Sequence, residues 1–143
     1  MMLRLPDKVP RRKNKYGARP QQYCCVCGHY EQLPAGGVCP LGCGDLVRMD
    51  SLAELRRYDE LRLMQRIGLI SGLLPHPRYP IILYGVQVGT YVADNRYTDF
   101  ATGALVVEDV KGGTATATDT ALSKFKRRCV AAQYGIDVVV VRR

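Results

Sequence analysis

Residues 91–112 read YVADNRYTDFATGALVVEDVKG, and this stretch decides the fold. One apolar run of strand character ends at Tyr97 and another occupies Ala104 to Val110, with the polar Asp99 to Gly103 segment between them. That connection is short enough for a hairpin. Folded symmetrically about Ala101 and Thr102, the hairpin sets Asp94 opposite Asp109, because the two are equidistant from its centre. Side chains opposed in this way share a face, with Cβ atoms roughly 4.5–5.5 Å apart, and Lys111 joins them two residues beyond Asp109. In the same register Glu108 points to the other face beside Asn95. A bulge of one residue would exchange Asp109 for Glu108.

Working outward, the run ending at Tyr97 extends back to Val86 with a break near Gly89, and Tyr79 to Leu83 forms an earlier strand joined through Tyr84-Gly85. The three strands are expected to form an antiparallel meander. Before them, the prolines of Leu73-Leu74-Pro75-His76-Pro77-Arg78 forbid helix and give an extended lead-in, with His76 read as a strand-edge polar residue ahead of the alternative, a catalyst. Ser51 and Glu54 make a capping-box pattern that opens a helix over about 51–67, with Leu52, Leu55, Leu61 and Met64 at near-helical spacing and Gly68 as its stop. Arg56, Arg57, Arg62 and Arg66 are read mostly as its solvated face. After the third strand comes a polar loop, Thr114 to Thr120, and a second helix capped by Asp119 or Thr120. This helix runs to about Tyr134, carries Leu122, Phe125, Cys129, Val130 and Ala132, and ends at Gly135. The run Ile136 to Val141 has the character of a buried strand. The order is αβββαβ, an α/β domain with a mixed four-stranded sheet.

The N-terminal part is different. Residues 1–22 carry Lys8, Arg11, Arg12, Lys13, Lys15 and Arg19 among Pro, Gly, Gln and Asn, which reads as a flexible basic arm. Residues 23–46 hold five of the six cysteines. Cys24-x2-Cys27-Gly and Cys39-x3-Cys43-Gly are two knuckles whose four thiolates suit tetrahedral zinc, with Cys25 and His29 as possible substitute ligands. Residues 47–143 form the main domain. No run of 18 apolar residues offers a membrane span. The first residues lack the apolar core of a secretory signal, so the expected location is a reducing cytoplasm.

Across all 143 residues, 21 Lys and Arg stand against 13 Asp and Glu, a formal charge of +8 that favours a polyanion such as nucleic acid. Lys124, Lys126, Arg127 and Arg128 near the second helix, Arg96 beside Asp94 and the basic arm are the candidate phosphate contacts, positioning a backbone rather than reading bases. Opposed carboxylates destabilise a sheet unless something compensates. Mg2+ (or Mn2+) does so with hard oxygen ligands, polarises a phosphodiester and acidifies the attacking water, while Lys111 holds or deprotonates that water. The alternative is an exposed ion-pair ladder in which Lys111 merely neutralises Asp109.

Tyr91-Val92-Ala93-Asp94 followed by Val106-Val107-Glu108-Asp109-Val110-Lys111-Gly112 resembles the split signature of PD-(D/E)XK nucleases. Residues 15–20, Asp50-Ser51 with Glu54, Arg57-Tyr58, Glu60-Leu61 with Arg66 and Gly68, and Tyr134-Gly135-Ile136 add a narrower likeness, to a family of small phage and prophage nuclease-like proteins catalogued as a domain of unknown function. The likeness covers residues 15–20 and 49–141. It implies a restriction-endonuclease-like core, Asp94 and Asp109 as metal ligands, Lys111 as the catalytic lysine, and Glu54 as a further ligand carried on the first helix. It also implies a Holliday-junction-resolvase-like activity on branched DNA in phage DNA processing, with a homodimer needed to cut a junction symmetrically. If the chain is phage-encoded, the host cytoplasm is where it would act. Two positions depart from the pattern: Pro75-His76-Pro77 replaces a Gln-Pro pair, and Asn95 stands where an aromatic is usual. The cysteine module is an insertion relative to these proteins. Two rival readings are a non-catalytic zinc-ribbon nucleic-acid binder, such as a transcription or packaging accessory, and an interaction subunit on a decayed nuclease fold.

Overall fold

The computed structural model describes residues 20–32, 37–113 and 119–143. The basic arm up to residue 19 and most of the polar loop (114–118) lie outside the described residues.

The main sheet comprises β4 (Ile70–Pro75), β7 (Asn95–Asp99), β8 (Leu105–Lys111) and β9 (Val138–Arg142), in the order β4-β7-β8-β9. The first two pairings are antiparallel and β8 with β9 is parallel, so the sheet is mixed, as the element order required. The helices α1 (Leu52–Arg66) and α2 (Ala121–Tyr134) fall where the capping patterns place them. Ser51 Oγ accepts from the Glu54 amide, and Thr120, rather than Asp119, caps α2 by accepting from the Ser123 amide.

The strand expectations need one correction. The run read as a single strand from Val86 to Tyr97 is two strands, β6 (Val86–Val92) and β7, broken at Ala93-Asp94 rather than near Gly89. Among the described residues, β6 pairs only with β5 (Arg78–Leu83), making a separate two-stranded ribbon. The proline-bounded lead-in is itself a strand, β4, and takes the ribbon's expected place in the sheet. Proline tolerates an edge, and β4 is an edge, with Pro75 as its last residue. The ribbon closes through Tyr84 and Gly85, both at positive φ (49° and 79°), a two-residue turn of the primed kind that matches strand twist.

Side-chain alternation along β8 divides the core. Val106 packs with Leu61, Ile70 and Tyr97 on the α1 side, whereas Val107 packs with Tyr79, Tyr91, Ala93 and Val130 on the α2 side. Glu108 follows Val106 in parity and meets α1. Arg57, expected on a solvated face, instead grips Glu108 with Nε to Oε2 at 2.9 Å and Nη2 to Oε1 at 2.6 Å, and the Tyr97 hydroxyl donates to Oε1 at 2.7 Å. The Glu108 side chain is only 2% exposed. Removing one partner of such a pair strands a buried charge, so Arg57→Ala is expected to lower unfolding free energy by about 3–5 kcal/mol in urea titrations. The double replacement Arg57→Met with Glu108→Met should recover most of that loss. A single variant within 1 kcal/mol of wild type would refute the assignment.

Arg62 is a second correction to the solvated-face reading. It donates to the Val26 carbonyl at 2.9 Å and pairs with Asp59, while Arg56 and Arg66 are exposed as expected. The N-terminal sheet, order β2-β1-β3, joins β1 (Gln21–Cys24), β2 (Tyr30–Glu31) and β3 (Leu46–Met49). Gln21 and Gln22, assigned to the arm, therefore lie in a buried strand, and the cysteine module runs on to Met49. Tyr23, Met49, Leu55 and Tyr58 form one apolar cluster, and the Tyr23 hydroxyl donates to Asp59 at 2.5 Å, so the module is packed onto α1. Among the described residues, no helix is long and apolar enough to cross a membrane.

Candidate functional sites

Among the described residues, two groups of side chains are candidates, one in the cysteine module and one at the end of β8. In the first, Cys24 closes β1 and Cys27 follows on a turn in which the Cys24 carbonyl accepts from the Gly28 amide at 2.9 Å. Gly28, at φ +80°, has the Arg62 guanidinium where a side chain would stand. On the other knuckle the Cys39 amide donates to the Gly44 carbonyl and the Cys39 carbonyl accepts from Gly42, both at 2.8 Å. The Sγ atoms of Cys24, Cys27, Cys39 and Cys43 all lie within 4.8 Å of one another, and Cys27 to Cys39 is 3.7 Å. Zn–S bonds of ≈ 2.3 Å at tetrahedral angles imply sulfur separations of about 3.8 Å, so the quartet has the size of a zinc site and could hold that ion.

Electrostatics agree with that chemistry. Backbone amides, that of Cys27 first, lower the Cys24 thiol to about 7 against the opposing effect of burial. Crowding by neighbouring thiols, Cys27 foremost, pushes Cys43 up to about 12. Four thiols this close ionise together only around a cation. The two substitute ligands stand elsewhere: Cys25 packs against the Tyr23 and Tyr58 cluster, and His29 Nε2 lies 3.6 Å from Glu31.

The second group forms where β7 enters the sheet and β8 leaves it. Asn95 pairs with Glu108, Tyr97 with Val106 and Thr98 with Leu105, the register drawn from the hairpin's centre. At Asp94 the ladder departs from it. The Asp94 amide donates to the Glu108 carbonyl at 2.9 Å, one step off register, and Asp94 Oδ2 accepts from the Val110 amide at 2.5 Å. β7 begins only at Asn95, so past Glu108 the β8 backbone needs another acceptor, and the aspartate supplies it. The Asp94 carbonyl accepts from the His76 amide at 3.0 Å, which brings the departing Pro75-His76-Pro77 segment to the same corner.

Asp109 faces α2, on the side opposite Glu108, and its side chain is 7% exposed. Oδ1 accepts from Lys111 Nζ at 2.7 Å and Oδ2 from Arg127 Nη1 at 3.0 Å. Glu54, on the first turn of α1, accepts from Ser51 Oγ at 3.2 Å and from the Asp50 amide at 2.9 Å, so it performs the capping role. Its charge is nonetheless felt by Asp94. Burial first, then Glu54, and further on Asp109, push Asp94 up to about 8, while Lys111 opposes them. Burial also raises Glu54. Beside them the Tyr91 hydroxyl, on a residue 4% exposed, has no hydrogen-bond partner. Burial foremost, then Asp109, hold its phenol protonated. Among the described residues these carboxylates do not close into a ready-made metal cage, because Asp109 is engaged by two cations and Asp94 by the β8 backbone. Their oxygens do fit a hard cation chemically, which would allow Asp94 and Glu54 to ionise together.

The candidate phosphate contacts divide. Lys124 and Arg128 are exposed and line, with Arg127, Ala131, Asp137 and Val138, an open depression of about 260 Å³. Lys126 Nζ donates to the Thr90 carbonyl at 3.1 Å. Arg127 is committed to Asp109 and to Asp119, whose Oδ1 it reaches at 2.8 Å. Arg96 is half-buried, its charge close to Tyr79. Sequence reading missed the Arg127 and Asp119 pairing, although their eight-residue separation across a helix start leaves no periodic signal. Comparison with protein-family models, with curated proteins and with solved structures yields no match.

Proposed function

We propose that the chain is a Mg2+-dependent (or Mn2+-dependent) endodeoxyribonuclease of the PD-(D/E)XK type, with a restriction-endonuclease-like core, cutting branched DNA of the Holliday-junction kind. The observation that carries this reading is the part-buried Lys111–Asp109 pair at 2.7 Å near the end of β8, with Asp94 at the entry of β7 and Glu54 on the first turn of α1 within electrostatic reach. A bound divalent ion would polarise the scissile phosphodiester and acidify the attacking water. Asp94 and Asp109 would hold it, with Glu54 in reach of the shell once freed from capping. Lys111 Nζ, part-buried beside Asp109, would orient the water and offset the charge gathering on the phosphoryl oxygens. Lys124 and Arg128 on α2, Arg96, and the basic arm would grip the backbone, in line with the formal charge of +8. A structural zinc in the cysteine quartet would brace β1 and β3 under α1. The reduced thiols suit a reducing compartment such as the cytoplasm, and two copies would serve a symmetric junction.

The cysteine quartet favours a second reading, a non-catalytic zinc-ribbon nucleic-acid binder, since it is the metal-type cluster that closes among the described residues. One experiment separates the two: the pure chain is incubated with labelled four-way junction, flap, duplex and single-stranded DNA, with Mg2+ or with chelator. The nuclease reading expects metal-dependent cutting, with the junction cut fastest. Retention of all four substrates without a single product would reject it and favour the binder, whose affinity should then survive Asp94→Ala and fall with Cys39→Ala.

A further inference from the structure

The two buried arginine-carboxylate pairs flanking β8 are built differently. On the α1 face Arg57 clamps Glu108 with a two-pronged fork. On the α2 face Arg127 touches Asp109 through one nitrogen at 3.0 Å, and that same Nη1 also donates to Ser123 Oγ at 2.9 Å. Its other terminal nitrogen holds Asp119 at 2.8 Å. Giving up Asp109 would therefore cost Arg127 one shared hydrogen bond and leave its anchors at Asp119 and Ser123 in place. Arg127 also lines the open depression with Lys124 and Arg128, so a guanidinium released from Asp109 but still held by Asp119 and Ser123 stays at the edge of that depression. Asp109 has Lys111 on Oδ1, which leaves Oδ2, the atom under Arg127, as its exchangeable acceptor.

We propose that Arg127 is a positioning residue that occupies the divalent cation's place at Asp109 Oδ2, is displaced when the cation binds, and then joins Lys124 and Arg128 as a third contact for a phosphate. The proposal rests on the nuclease reading of the same corner. It explains how the carboxylates stay neutralised before metal arrives, and it couples metal loading to the assembly of a phosphate grip.

Mn2+ is titrated into the zinc-loaded full chain by calorimetry, for wild type, Arg127→Ala, Arg127→Lys and Lys124→Ala. Mn2+ prefers oxygen ligands and leaves the thiolates alone. Loss of a competing charge-assisted bond should tighten binding by about tenfold in Arg127→Ala. Lys124→Ala removes the same unit of charge without the contact and should stay within about twofold of wild type. In wild type, the nitrogen-15 resonance of Arg127 Nε is expected to shift as metal saturates. Equal Mn2+ affinity in wild type and Arg127→Ala would overturn the proposal while leaving the metal site standing. Absence of binding at millimolar Mn2+ in all four proteins would overturn both. Should Arg127→Ala not fold, an Arg127 Nε signal that stays fixed through saturation in wild type is the overturning result.

Discussion

Stripping the chain with a strong chelator is expected to remove one zinc ion per molecule and to unfold the module from Gln21 to Met49, with amide exchange in β1 and β3 rising towards that of open chain. The expectation follows from how little else holds this module. Its sheet has strands of four, two and four residues. Among the described residues, the apolar group around the thiols contains only Leu46 besides the cysteines themselves. A structural zinc in a module of this size contributes on the order of 10 kcal/mol, far more than such a core can supply. The effect should spread. Tyr23 and Met49, both fully buried, cover Leu55 and Tyr58 of α1, and the Tyr23 and Tyr58 rings meet edge to face at 5.5 Å. Near-ultraviolet tyrosine dichroism should therefore fall with the zinc. Cys39→Ser should reproduce the chelated state and Cys25→Ser should keep full zinc, since Cys25 lies among the Tyr23 and Tyr58 side chains rather than at the thiol cluster. A metal-free chain with native exchange in β1 would refute the zinc reading.

The same contrast explains what could be read from sequence. Cysteine spacing and helix caps are local, and Cys24, Cys27, Cys39, Cys43, Ser51 and Thr120 fall where their spacing places them. Parity along β8 was legible because side-chain alternation is a property of the strand alone; it placed Asp109 and Glu108 on opposite faces without knowledge of either helix. Partition of strands between sheets was not legible. Nothing in Val86 to Tyr97 marks Ala93-Asp94 as the point where one run leaves the ribbon and enters the main sheet, because Val92 and Tyr97 are equally suited to either. The departure of Asp94 from the ladder has the same origin, since it exists only where β7 starts one residue short of its partner. Charge roles were the least legible. Arg57 and Arg62 look like any solvated arginine on a helix, and their partners Glu108 and the Val26 carbonyl lie far away in sequence. Buried ion pairs are set by tertiary contact, and composition cannot distinguish them from surface charge.

Lys111→Ala is expected to reduce metal-dependent DNA cleavage by about 10²–10⁴-fold, the range lost when a positioned proton-transfer group or charge donor is removed. Folding should tolerate the change. Asp109 would still have Arg127 at 3.0 Å, so the buried carboxylate is not stranded as Glu108 would be without Arg57. Binding of a junction should also persist, because Lys111 is largely buried, with a side chain 16% exposed, and is ill placed to supply general phosphate affinity. The variant therefore separates two roles for one ammonium. If Lys111 serves only to neutralise Asp109, its loss weakens stability slightly and leaves the cleavage rate intact, with Arg127 carrying the neutralisation. If it acts on the reacting water, the rate collapses while melting temperature and DNA affinity hold. Lys111→Arg sharpens the distinction, since it keeps the positive charge but replaces a compact ammonium with a wide planar fork that cannot sit where Nζ sits. Cleavage restored by arginine would point to charge alone, and cleavage lost in both variants, in chains that fold and bind DNA, assigns the chemistry to the lysine nitrogen.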